Sequence, residues 1–213
     1  MIIDPGQDSE SGIDELLDRY RLKPIAVLLT HGHLDHIWSV GPVCGAKGIP
    51  AWIHPDDRGL LSDPGKGLSA GAQQQLFGGK ITFTEPDDVL ELADDATLSL
   101  AGLDFTVSHV PGHTEGSVTF RSASASASAS ARDSESERYD LLFAGDLLFA
   151  GSIGRTDLPG GDHRKMMASL AKTLTLPDQT VVLPGHGPQT TIGAERATNP
   201  FLTGLERPAQ KGL

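Results

Sequence analysis

The chain has 213 residues and a formal net charge of −11, from 17 basic and 28 acidic side chains. That charge argues against general binding to nucleic acid backbones, and the ordinary composition excludes a fibrous or wholly disordered protein. The single cysteine, Cys44, excludes an internal disulfide framework. No apolar run approaches the ~20 residues that cross a bilayer, and the first residues do not resemble a secretory signal. We therefore expect a cytoplasmic protein with neither nucleic acid nor membrane as a partner.

Strand and helix patterns alternate along the first quarter of the chain. Ile2 and Ile3 form a short apolar start that ends in the turn signal DPG. Residues 12–20 have apolar side chains on one helical face, and residues 25–29 form a continuous apolar run that is typical of a strand covered on both faces. Residues 36–47 are a further helix candidate, which Gly41-Pro42 would interrupt or kink.

The rest of the chain continues this mixture. Short strands are predicted at residues 51–53, 97–100, 103–110, 117–121, 141–145 and 181–183. A helix is predicted over residues 162–174, whereas residues 55–80 carry no clear pattern. Such a mixture indicates layers of helix packed on sheet in one domain that spans residues 1–213.

One segment differs from this pattern. Residues 122–131 alternate serine and alanine, and the polar stretch RDSESERYD follows. Neither residue type favours strand structure or buries much apolar surface. We predict that residues 122–140 form a low-complexity surface loop insertion, with a solvent-exposed hairpin extension as the alternative.

The stretch THGHLDH, at residues 30–36, places four ligand-type side chains within six positions after an apolar run. They are His31, His33, Asp35 and His36. Imidazole and carboxylate groups suit zinc and other first-row divalent ions. The alternative is a polar loop with solvated histidines, but this density of ligand types favours a metal site.

Three further potential ligands follow predicted strands, each beside a glycine. His113 lies in VPGHTEGS, Asp146 in LLFAGDLLF and His186 in VVLPGHGPQ. In α/β sheets, ligands bind at the carboxyl ends of the strands. The repeated layout predicts one metal site assembled from four loops.

These motifs resemble those of the metallo-β-lactamase-fold hydrolases, and within them the short type II glyoxalase-like (hydroxyacylglutathione hydrolase-like) branch. The resemblance runs from DPG through THGHLDH, PGHTEGS, FAGDLLF and GRTDLPGGDH to LPGHGPQTTIGAERATNPFL, nearly the whole chain. It implies an α/β (α+β) fold, the αββα sandwich, here expected to lack its first N-terminal strands.

The resemblance also implies a ligand set for two divalent ions. The first ion would be held by His31, His33 and His113. The second would be held by Asp35, His36 and His186. Asp146 would bridge both ions. Zinc is the expected metal, with iron or manganese as alternatives.

The reaction implied is hydrolysis of a small-molecule thioester of a small thiol. The nucleophile would be a hydroxide bound between the metals, with Asp35 and Asp146 as the catalytic side chains. Arg155 is a candidate for substrate binding, and an internal ion pair with Asp157 is the alternative for its side chain. The oligomeric state is left open.

Two other functions compete with this one. A mononuclear iron persulfide dioxygenase of the same fold would use only His31, His113 and Asp146, and the GRTD motif also resembles that family. Oxygen uptake with a persulfide would identify it. A metal-binding scaffold without activity is the third hypothesis.

Three residues near these motifs are interpreted separately from the metal ligands. Asp4, in DPG, either orients the THGHLDH loop or serves the turn alone. His54 is interpreted as a loop or capping residue, and His109 as a polar neighbour of the site.

Overall fold

The computed structural model describes residues 1–77, 82–122 and 140–205. The strands are β1 Ile2–Ile3, β2 Val27–Leu28, β3 Ala51–Ile53, β4 Val89–Glu91, β5 Thr97–Leu100, β6 Leu103–His109, β7 Val118–Ser122, β8 Leu141–Gly145, β9 Leu148–Phe149, β10 Ser152–Ile153, β11 Val181–Pro184 and β12 Thr190–Thr191. The helices are α1 Glu10–Tyr20, α2 Leu34–Ile37, α3 Val40–Lys47, α4 Pro55–Arg58, α5 Ala70–Phe77, α6 His163–Thr173 and α7 Ile192–Thr198, with a 3₁₀ turn at Pro64–Gly67.

The first sheet has the order β1-β2-β3-β4, and all its pairs are parallel. Its two faces follow from the alternation of side chains along β2. Val27 packs with Cys44 and the other apolar residues of α2 and α3 on the outer face, whereas Leu28 packs with Phe105 and Phe120 of the second sheet.

The second sheet has the order β12-β11-β8-β7-β6-β5. Its pairs are antiparallel except β11 with β8. Leu142 of β8 and Val182 of β11 pack outward against Met166 and Leu170 of α6 and Ile192 of α7. The layers are therefore helix, sheet, sheet and helix.

Most of the predicted strands are confirmed, some with different ends. The strand predicted over residues 25–29 is shorter, because only Val27 and Leu28 pair with β1 and β3. The prediction that Gly41-Pro42 interrupts a helix is wrong. The break lies between α2 and α3, and Pro42 falls in the first turn of α3, where its missing N–H costs no helical hydrogen bond.

The surface loop predicted over residues 122–140 falls almost entirely outside the described residues, and so remains a prediction. Among the described residues, none of the helices has the length and apolarity that a membrane span requires.

Strand direction decides where the predicted ligands lie. β1, β2 and β3 are parallel to one another, and β6, β8 and β11 share one direction in the second sheet. The carboxyl ends of β2, β6, β8 and β11 therefore lead into the loops that carry the candidate metal ligands, at one edge of the sandwich.

Candidate metal centre

The first predicted ligand set converges behind the surface. His31, His33 and His113 form a group whose ligand atoms all lie within 4.8 Å of one another. His33 Nδ1 lies 2.7 Å from His113 Nε2, although the two residues are 80 positions apart in the chain. All three side chains are buried, at 1%, 5% and 3% exposure.

The second predicted set also assembles, nearer to solvent. Asp35, His36 and His186 form a group within the same 4.8 Å limit. His36 Nε2 lies 3.1 Å from His186 Nε2, and His186 Nε2 lies 3.1 Å from Asp35 Oδ2. His36 is buried, but the side chains of Asp35 and His186 are 59% and 55% exposed.

Asp146 lies between the two sets. Its Oδ1 is 3.4 Å from His36 Nε2 of the second set, and its Oδ2 is 3.5 Å from His113 Nε2 of the first. Oδ2 also lies 3.7 Å from His186 Nε2 of the second set, so this carboxylate faces both groups of imidazoles and would contact ions held by either one.

The donor atoms in this cluster suit metal ions. His31 Nε2 and His33 Nε2 are buried, and neither has a hydrogen-bond partner in the described part of the chain. Buried polar atoms without partners are rare and costly unless an ion or a water molecule satisfies them. Imidazole and carboxylate ligands of this kind bind zinc, iron and manganese.

Hydrogen bonds behind the ligands fix which ring nitrogens face the centre. Asp4 accepts hydrogen bonds from Thr30 N at 2.7 Å, Thr30 Oγ1 at 2.5 Å and His36 Nδ1 at 3.0 Å. Thr30 Oγ1 in turn lies 3.1 Å from His31 Nδ1. One carboxylate thus orients His36 directly and His31 through Thr30, which confirms that Asp4 orients the loop.

A main-chain carbonyl performs the same task for His113. Its Nδ1 lies 2.8 Å from the carbonyl oxygen of Arg155. Because a carbonyl can only accept, Nδ1 carries the proton and Nε2 keeps a lone pair for a metal. Sequence reasoning missed this role, since a backbone carbonyl leaves no signal in the residue type.

The two sets differ in electrostatics. Burial, reinforced by the neighbouring imidazoles, lowers the pKa of His31 well below its usual value. Burial and then repulsion from His113 lower the pKa of His33 to about 4. Burial also disfavours the charged form of His36, but hydrogen bonds to Asp146 and Asp4 outweigh it and raise the pKa of His36 to about 10. In the metal-free protein, the lowered pKa values keep His31 and His33 neutral near pH 7, whereas His36 is paired with carboxylates.

The second set borders the opening of the centre. A cavity of about 290 Å³ is lined by Asp35, His36 and His186 on the polar side and by Phe143 and Leu183 on the apolar side. The side chains of the first set, by contrast, are at most 5% exposed. The second set therefore lies beside a cavity and nearer to solvent than the first.

A third group of ligand-type residues has a structural role. His54, Asp56 and His109 lie close together, but the rings of His54 and His109 stack at 4.0 Å with only 10° between their planes. His54 Nδ1 accepts a hydrogen bond from Asp56 N, which caps α4, and His109 Nε2 lies 2.8 Å from the carbonyl of Glu115. His54 is therefore a capping residue, as predicted.

The chain matches the family described as the metallo-beta-lactamase superfamily over residues 1–126 and 134–186. The chain belongs to that superfamily. Two features of the structure agree with this membership: the two layered sheets and the cluster of ligand-type side chains at the carboxyl ends of the strands.

Relatives and solved structures extend this result. The hydroxyacylglutathione hydrolase GloC of Haemophilus influenzae is 36% identical over 203 residues, which cover 94% of this chain and 86% of that protein. The crystal structure of BLEG-1 B3 metallo-beta-lactamase is 41% identical with a TM-score of 0.75, covering 95% of this chain and 88% of that one. The crystal structure of TTHA1623 in a di-iron-bound form is 38% identical with a TM-score of 0.71, covering 94% and 88%.

Together these findings identify a metal-dependent hydrolase of the metallo-beta-lactamase fold. Proteins of this fold bind divalent metals, often two. One structural neighbour is di-iron-bound, so the fold alone does not select zinc.

Proposed function

We propose that this protein hydrolyses a thioester of a small thiol and that it holds two divalent metal ions, with zinc preferred. The observation that carries the proposal is the complete set of seven ligand side chains at one edge, with Asp146 facing both groups. A two-metal set of this kind suits hydrolysis of a carbonyl compound. The name of GloC, a relative at 36% identity, favours a thioester among such compounds.

The residues of this chain hold the ligands in a fixed orientation. Asp4 and the carbonyl of Arg155 bind the Nδ1 atoms of His36 and His113, so that both Nε2 atoms point into the centre. When bound, the two ions supply an activated water at neutral pH and polarise the scissile carbonyl. Asp35 and His186, at the opening, are in position to meet the incoming acyl group.

A thioester makes smaller demands on the chain than an amide does. Its leaving group is a thiolate, and a thiol such as cysteine has a pKa of about 8.5. Such a group departs near neutral pH without a strong acid beside it, whereas an amine leaving group needs a proton.

The competing functions lead to different observations. A mononuclear iron dioxygenase would need His31, His113 and Asp146 alone, so the assembly of Asp35, His36 and His186 supports a dinuclear centre. β-Lactam hydrolysis is the second candidate, because the BLEG-1 lactamase is 41% identical over most of its length.

The substrate contact proposed for Arg155 also remains a proposal. Its guanidinium forms a bidentate ion pair with Asp157, with both nitrogen–oxygen distances at 2.8 Å. Both side chains are exposed, at 60% and 68%. A substrate carboxylate could replace Asp157 only by competing for this pair.

The test combines metal analysis with turnover. Protein purified without added metal is analysed for metal per chain and assayed with S-lactoylglutathione, with a cephalosporin and with a persulfide in an oxygen electrode. Two metals per chain and thioester turnover support the proposal. One iron per chain with oxygen uptake would favour the persulfide dioxygenase. Turnover of the cephalosporin alone would favour β-lactam hydrolysis. Two metals per chain without any turnover would favour the inactive metal-binding scaffold.

A further inference from the structure

A buried carboxylate, Asp57, lies behind the first ligand set. It belongs to the short helix α4 and is 1% exposed. Among the described residues, no lysine, arginine or histidine forms an ion pair with it. A carboxylate that is removed from water in this way is stable only if hydrogen-bond donors surround it.

Its donors come from the two loops that carry the first ligand set. Asp57 Oδ2 accepts hydrogen bonds from Gly32 N at 2.8 Å and Thr114 Oγ1 at 2.6 Å. Its Oδ1 accepts one from Gly116 N at 2.8 Å. Gly32 lies between His31 and His33, and Thr114 directly follows His113, so one side chain joins the two loops.

The packing around these donors leaves no room for side chains. A Cβ atom at Gly116 would lie 2.7 Å from Asp57 Cγ, and one at Gly32 would lie 2.7 Å from Leu60 Cδ1. Distances below 3.0 Å are essentially never observed for real Cβ atoms. The two glycines therefore allow both loops to approach α4 closely enough to reach the carboxylate.

Helix α4 is itself attached to the scaffold. His54 caps its first turn and stacks on His109 at the end of β6. Arg58, the residue after Asp57, donates a hydrogen bond from Nε to Glu85 Oε1 at 2.6 Å. Asp57 is thus held on a fixed element, against which the two ligand loops are set.

We propose that Asp57 is a positioning residue for the first ligand set. By binding the loop of His31 and His33 and the loop of His113 to one carboxylate, it sets the spacing of the three imidazoles and hence their affinity for a metal ion. This inference rests on the proposed function to the extent that the first set binds metal.

The decisive variant is Asp57→Asn. Asparagine keeps the size of the side chain, but its NH₂ group would face a backbone N–H at Gly116 or at Gly32, where an acceptor is needed. One loop would lose its contact and shift. We expect a roughly 10- to 100-fold weaker zinc affinity of the first set, the usual loss when a group behind a metal ligand is removed.

The chain offers a closely matched control in Glu195. It is 3% exposed and likewise accepts three hydrogen bonds, from Gly151 N at 2.8 Å, Thr190 Oγ1 at 2.6 Å and Asn199 Nδ2 at 2.8 Å. None of these donors belongs to a loop of the first set. Glu195→Gln should therefore lower the stability of the fold by a similar amount without changing the zinc affinity of the first set.

Both variants are made in a His186→Ala background, so that the first set alone is titrated. Zinc affinity is measured by competition with a chelator, the absorption spectrum is recorded with cobalt(II), and thermal unfolding of the metal-free protein is followed in parallel. Weaker zinc binding and an altered cobalt spectrum in Asp57→Asn, but not in Glu195→Gln, would support the inference. Equal zinc affinities in the two variants would overturn it.

Two further outcomes are separable. If the His186→Ala parent binds no zinc, the proposed metal centre fails irrespective of Asp57. If Asp57→Asn does not fold, Thr114→Val decides the question, because it removes one donor and leaves both backbone contacts. We expect a roughly 3- to 10-fold loss of zinc affinity in Thr114→Val, the effect of one hydrogen bond, and an unchanged affinity would overturn the inference.

Discussion

The two ligand sets use similar residue types in very different surroundings. His31, His33 and His113 are buried under the loops that carry them, whereas Asp35 and His186 are more than half exposed. Burial lowers the pKa values of His31 and His33, while the pKa of His36 in the second set is raised. From this comparison we propose that the first set is a buried, preformed metal site and that the second is an open, exchangeable one through which substrate enters.

The largest expected difference between the sets is found by removing one ligand from each. His113→Ala removes a buried ligand whose Nε2 also faces Asp146, so the centre should lose its first ion and its turnover. Since metal ions provide several kcal/mol of transition-state stabilisation, the loss should reach about 10³-fold. His186→Ala should retain one metal per chain, as measured by elemental analysis after gel filtration. Equal metal contents in the two variants would contradict the comparison.

A smaller effect is expected from closing the space between the sets at Gly185. A Cβ atom there would collide with Asp146 Oδ1 and with His36 Cε1. Gly185→Ala should displace the bridging carboxylate and weaken binding of the second ion by about 100-fold, the upper range for disturbed metal surroundings. Metal content and turnover are measured beside Gly45→Ala, where a Cβ meets nothing within 4 Å. Equal metal content and turnover in the two variants would show that binding of the second ion does not depend on the free space at Gly185.

Asp4→Asn tests how far the second set depends on the residue behind it. Asparagine tolerates the positive φ of 45° at this position, but its neutral amide binds His36 Nδ1–H more weakly than a carboxylate does. We expect a roughly 10-fold weaker affinity for the second ion, with a smaller change at the first, because Asp4 reaches His31 only through Thr30. Zinc titration with a chelating indicator separates the binding of the first ion from that of the second. A larger loss of affinity for the first ion would contradict the view that Asp4 mainly supports the second set.

The last effect concerns the stability of the metal-free protein against pH, and not metal binding or turnover. His33 has a folded pKa of about 4 against an ordinary value of 6.5, so the unfolded chain binds the proton first and the free energy of unfolding falls as pH drops from 6.5 toward 4. His36 has a folded pKa of about 10, so its contribution is complete below pH 6.5 and is lost as pH rises toward 10. Each of these two groups contributes at most roughly 1.4 kcal/mol per pH unit.

Urea unfolding of the metal-free protein at several pH values measures the loss of stability toward pH 4 (the acid limb) and the loss toward pH 10 (the alkaline limb). His33→Asn should flatten the acid limb alone, and His36→Asn should flatten the alkaline limb alone. If either variant altered both limbs equally, the electrostatic contrast between the two sets would be wrong.

The sequence predicted the ligands better than their surroundings. The seven predicted ligands lie together in the structure. They could be selected because each is a metal-binding residue type in a short motif that follows an apolar run, a local pattern. Neither Asp57 nor the carbonyl of Arg155 could be identified, since their partners are distant in sequence and set by the packing of α4 and of the segment after β10. The short strands β9, β10 and β12 were missed because two residues do not establish a period.

Stepwise reconstitution of the metal-free protein tests the central claim most directly. Zinc is added in fractions of an equivalent per chain, and hydrolysis of S-lactoylglutathione is measured at each step. We predict that the first equivalent binds the buried set with little turnover and that activity rises with the second equivalent, as both sets and Asp146 come into use. Full thioester turnover at one equivalent, with no further change at two, would contradict a dinuclear centre with unequal halves.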